Sequence, residues 1–167
     1  MDKRKKQNHF VNLEFLSVFP NQMRMEASAT LGISAASMVL NDQKLEMLLP
    51  RQEKYYFGRA KASAIRPALR IDLEPQILID LLFDKTPRSR LWSCEKDELS
   101  RPKICENKTS GQQIQYDRTD IKKRKITLKA SQYELQIVFQ SDATKVELAS
   151  NWLDLEVPND YERIELK

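Results

Sequence analysis

Residue types able to do acid–base or nucleophilic work are few in this chain of 167 residues, and they are scattered. His9 is the only histidine, so a histidine base or a Ser-His-Asp arrangement has one member and no second. Glycine-rich phosphate loops, a serine elbow and a paired-histidine zinc helix are all missing from the string. Asp72, Glu74 and Asp80 could pair as an acid and a base, but nothing in their spacing aims them at one another. A solvated or helix-terminal place is expected for all three. Cys94 and Cys105 with one distant histidine are too few for zinc. They flank a stretch containing Ser100-Arg101-Pro102 that reads as a hairpin turn, which can bring opposed cysteines to bonding distance. A disulfide there would contribute about 3 kcal/mol in the chain-entropy picture and would point to an oxidising compartment; two buried reduced thiols are the alternative. Lys122-Lys123-Arg124-Lys125 could contact phosphates, yet no aromatic residue is interleaved with it, so a solvated loop or a guarded edge strand is expected. The inventory reads as a protein that is not an enzyme, with no cofactor, no metal and no nucleic-acid partner.

The elements that would position these residues are mostly strands. Hydrophobic residues make up 41% of the chain and charged ones 31%, the balance of a folded domain rather than a disordered segment. The net charge is +4, but 24 acidic residues are interleaved with 28 basic ones, which gives no strong basic face. No stretch approaches the ~18 apolar residues of a membrane-spanning helix. Residues 1–9 read as a flexible basic N-terminal segment with no apolar core behind Met1, and residues 10–167 as a single domain.

Between positions 24 and 49 three strand-like runs follow one another. In the first, Met25, Ala27, Ala29 and Leu31 alternate with charged and hydroxyl residues, the period that sends one series inward. An inward face of Met and Ala is adaptable rather than shape-fixing, and could wrap around something other than protein. Runs at 33–40 and 44–49 follow, the second stopped by Pro50. Tyr55-Tyr56-Phe57 and Gly58 close the block, and a short helix is expected at 59–66. A firmer helix spans 75–83, starting at Pro75, with Ile77, Leu78, Leu81 and Leu82 as its apolar stripe. Strands return after Leu91, at 114–116, 125–129, 133–140, 145–148, 152–157 and 163–166. Strands first, helices in the middle and strands last predict an antiparallel sheet with helices on one side. Glycine occurs at 32, 58 and 111 alone.

This succession resembles the LolA/LolB superfamily of outer-membrane lipoprotein-localisation factors. The resemblance is carried by Arg24, Glu26, Leu31, Gly32, Leu45, Pro50, Tyr56 and Gly58, then by Leu73, Pro75, Leu78, Leu81 and Leu82. It is best over residues 10–84. The resemblance implies a mainly β, α+β fold: an incomplete antiparallel β-barrel or strongly curved sheet, with a lid of one or two helices over a hydrophobic cavity for acyl chains. Met25, Ala27, Ala29, Met38, Leu40, Met47 and Leu49 are then candidate cavity walls, and Leu78, Leu81 and Leu82 the inner stripe of the lid. Leu31 beside Gly32 matches a membrane-insertion loop; the other reading of Leu31 is an inward residue that ends the Met25 series. The implied partners are lipoprotein acyl chains or another lipid, a periplasmic carrier protein and a membrane surface, with the chain itself a monomer. The implied place is the periplasmic face of the outer membrane of a Gram-negative bacterium, with signal peptide and lipid anchor expected outside this sequence. A non-enzymatic structural or interaction module with a filled core is the alternative.

Overall fold

The computed structural model describes residues 11–29, 33–69, 71–120, 123–131, 133–139 and 146–166. His9, Leu31, Gly32 and Lys122 fall outside them, so the expectations resting on these residues are not addressed by the structure.

Two sheets form, and neither closes into a barrel. In the first, β1 (Asn12–Val18), β2 (Gln22–Ser28), β3 (Ser34–Asn41), β4 (Lys44–Leu49) and β5 (Lys54–Arg59) make an antiparallel meander. Alternation in β2 is complete: Met23, Met25 and Ala27 are buried, while Gln22, Arg24, Glu26 and Ser28 line the other face. A second antiparallel meander comprises β6 (Trp92–Lys96), β7 (Pro102–Asn107), β8 (Gln113–Asp120), β9 (Lys123–Lys129) and β10 (Glu134–Phe139). Between the two blocks lie α1 (Arg66–Leu69) and α2 (Pro75–Leu82).

The last strand, β11 (Glu162–Leu166), returns to the first sheet and pairs with β5 in parallel. An all-antiparallel arrangement is therefore not what forms. Gly58 permits this return. It stands opposite Leu166 with φ of +151°, and a Cβ on it would meet the Leu166 carbonyl oxygen at 2.6 Å. With β11 on its free edge, β5 cannot pair with β6, so the second half of the chain builds its own sheet rather than extending the first.

Three local expectations are corrected. Arg59 ends β5, and the helix expected at 59–66 is replaced by a series of hydrogen-bonded turns leading into α1, whose second residue is Pro67. Proline fits a first turn and works against helix in the residues just before it. Of the strands expected at 145–148 and 152–157, residues 146–148 and 152–157 form none, although they alternate, and Lys145 lies outside the described residues; the second segment crosses the outer face of the first sheet, where Arg24 Nη1 donates to the Trp152 and Asp154 carbonyls at 3.2 and 2.9 Å. Arg124 and Lys125 sit in β9, between β8 and β10, rather than in a loop or at an edge.

One buried apolar cluster joins both sheets and α2. Met23, Met25, Met38, Leu40, Leu45 and Met47 come from the first sheet; Cys105, Ile114, Tyr116, Ile126 and Leu128 from the second; Ile77, Leu78, Ile79 and Leu81 from the helix. α2 is buried on nearly every side, not along a single stripe, because it is wedged between two sheets and does not lie on one.

Candidate functional site

The inner face of the first sheet is organised in cross-strand rows. One runs Phe15, Met25, Met38, Met47, Tyr56, and a neighbouring row runs Met23, Leu40, Leu45, Gly58. Met23, Met25, Met38, Leu40, Leu45 and Met47 are each no more than 1% exposed. Beside them Ala27, Ala36 and Leu49 form a smaller buried cluster, contacted by Ala68 from α1. The residues expected as walls are thus brought together, with two differences. Ala29 lies past the end of β2 and is only half-buried, its N–H bonded to the Ile33 carbonyl; Leu82 at the end of α2 is also half-buried. Met23, Leu45 and Ala36 join the same face. The signal for them was present, since Met23 continues the Met25 series by two positions and Leu45 precedes Met47 by two.

α2 is held to the second sheet by polar contacts. Arg118 Nε and Nη2 fork onto the Asp84 carboxylate at 2.9 and 2.6 Å, and its Nη1 donates to the Pro102 carbonyl. Arg124 donates to the Leu82 carbonyl at 2.8 Å while its guanidinium lies 4.1 Å from the centroid of the Phe139 ring. Burial pulls the Arg124 pKa down, against the charge of Asp84. The Tyr116 hydroxyl donates to the Lys85 carbonyl, and burial pushes its pKa up. Arg124, expected in a solvated loop or a guarded edge strand, therefore closes a helix C-terminus, where cations and free carbonyls attract, and Arg118, which nothing in the sequence singled out, holds Asp84 just beyond it.

Asp80 corrects another expectation: it is fully buried on α2. Its Oδ2 accepts from the Arg88 backbone N–H at 3.0 Å. Arg88 Nε stands 2.7 Å from Oδ1 as an ion pair, and that oxygen has no hydrogen-bond partner beyond this contact. Burial raises the Asp80 pKa, and the Arg88 N–H and guanidinium only partly counter it. Asp72 is exposed and forked by Arg66, as a surface carboxylate should be.

Cys94 and Cys105 face each other across β6 and β7 and form a disulfide, so the thiol alternative is set aside. Among the described residues no group of three or more His, Cys, Asp or Glu side chains could hold a metal ion, and no helix is long and apolar enough to cross a membrane.

Two surface depressions lie away from the methionine rows. One of about 480 Å³ sits on the outer face of the first sheet, between Arg24, Ser37, Leu48 and the crossing segment at Asn151, Trp152 and Asp154. Glu26 bridges Arg24, at 2.8 Å, and the Ser37 hydroxyl beside it. The other, about 340 Å³, lies at Asp97, Lys103 and Arg118. The sequence matches no family model and no curated protein.

Proposed function

We propose that this chain is a non-enzymatic binder of acyl chains, from lipids or lipoproteins, held between the methionine rows of the first sheet and α2. The observation that supports it best is the row Met25, Met38, Met47, three unbranched side chains in direct register that share one buried cluster with α2 and are flanked by Ala27 and Ala36. Methionine gives way to a guest without fixing its shape, and alanine leaves room beside it. In this reading α2 is the lid and Leu78 and Leu81 its inner surface. The sheet would separate from α2 where their contact is apolar, leaving the helix with the second sheet, where Arg118 and Arg124 fasten it. Each acyl methylene buried contributes about 0.8 kcal/mol, so a chain of several is needed for useful affinity. The disulfide fits an oxidising compartment such as the periplasm, and a place in lipoprotein localisation at the outer membrane follows from the same reading.

A second reading rests on the continuity of the methionines with Ile114, Ile126 and Leu128 in one buried cluster, which is also what the filled core of a structural or interaction module looks like. The two separate experimentally. Native mass spectrometry of the purified protein should show added fatty-acyl mass, and lysophospholipid or a diacylated peptide should raise its melting temperature. Absence of both effects would leave the filled-core module as the reading.

A further inference from the structure

Exposed apolar side chains are ordinary when single, but Phe19 and Phe83 are 43% and 40% exposed while touching each other. They come from the β1–β2 turn and the end of α2, and their rings meet edge to face at 5.4 Å between centroids. Both are firmly presented. The Phe83 N–H is bonded to the Ile79 carbonyl at 3.1 Å, and the Arg88 guanidinium lies over the Phe19 ring at 5.4 Å. Val18, next to Phe19 in the chain, is 41% exposed.

The segment that follows Phe83 in the chain is basic. Lys85, Arg88 and Arg90 are exposed on the segment that leaves α2. Of the acids nearby in the chain, Asp84 is forked by Arg118 and Asp80 is buried against Arg88. Asp42, on the β3–β4 turn, is hydrogen-bonded to Asn21. An aromatic wedge edged by cations complements a surface that is apolar just beneath an anionic layer.

We propose that Phe19 and Phe83, with Lys85 and Arg90, form a docking surface for an anionic lipid bilayer, Arg88 being kept by Asp80 and serving to hold the Phe19 ring. The rings enter the boundary between headgroups and acyl chains while the cations meet lipid phosphates. This surface is made of other residues than Leu31 and Gly32, and it asks nothing of the interior, so docking can hold or fail whether or not acyl chains bind inside.

The test is co-sedimentation of the whole chain with vesicles containing phosphatidylglycerol, against vesicles of phosphatidylcholine alone. Binding should favour the anionic vesicles and fall as salt rises. Phe19→Ser with Phe83→Ser should lower partitioning about tenfold or more, and Lys85→Gln with Arg90→Gln about tenfold to thirtyfold, each cation being worth roughly a factor of five. Leu99→Ser, at the 71% exposed tip of the β6–β7 turn, should change nothing. The charge pair keeps the test decisive if the phenylalanine variant does not fold. Absence of binding, equal binding to both vesicles, or an equal loss in Leu99→Ser overturns the proposal.

Discussion

Among single residues, Asp80 and Arg88 make the most informative pair, because a fully buried carboxylate with one oxygen held by a single ion pair has little margin. Its pKa is raised, so the folded state holds a proton more tightly than the unfolded chain does, and the ionised form costs stability as pH rises above the ordinary carboxylate range. Arg88 offsets part of that cost. Arg88→Met should therefore destabilise the protein by about 3 kcal/mol near pH 7 and by clearly less near pH 5, where Asp80 can take up a proton. Urea unfolding at the two pH values measures this. Adding Asp80→Asn to Arg88→Met should recover most of the loss, because no unpaired charge is then left inside. The pair was not legible in the sequence. Asp80 stands within an apolar helix at a spacing that gives no hint of burial, and Arg88 reaches it only because the chain turns back after Asp84, which takes a left-handed φ of 57°.

Strands and turns were more legible than single residues. Period-two alternation located β2, β3 and β4, and Pro75 marked the start of α2, because those signals are local. The crossing segment at 152–157 alternates as well, yet it forms no ladder; alternation reports which side chains face inward and says nothing about whether a partner strand is available. Pairing of β11 with β5 is non-local, and its one sequence trace was Gly58. Gly58→Ala should place a methyl group against the Leu166 carbonyl and cost about 2 kcal/mol or more. Hydrogen exchange should then show loss of protection in Glu162–Leu166 before the rest of the first sheet. In the β6–β7 hairpin, Cys94→Ala with Cys105→Ala should lower stability by about 3 kcal/mol, and a reducing agent should do the same to the unmodified protein; an unchanged urea midpoint in both would count against the bridge as a stabiliser.

For the molecule as a whole, the mainly β class and the order of elements followed from the sequence, and the division into two sheets did not. Hydrophobic pattern shows which face of a strand is covered, not by what; Met25, Met38 and Met47 read the same whether a ligand, a helix or a second sheet covers them. That ambiguity makes lipid uptake the most useful measurement on the intact chain, and a larger residue at Ala36 sharpens it. Ala36→Phe should abolish a lipid-dependent rise in melting temperature if the space beside the methionines is used by ligand, and should chiefly destabilise the protein if it is not. The parallel return of β11 also bears on how the protein is made. During synthesis β5 is finished early, yet the strand that covers its edge emerges only after the entire second sheet. Until then the nascent chain presents an open edge, the kind of surface to which chaperones and other chains bind. Biogenesis should be most vulnerable in that interval, and a ribosome stalled before Glu162 would hold the protein in it.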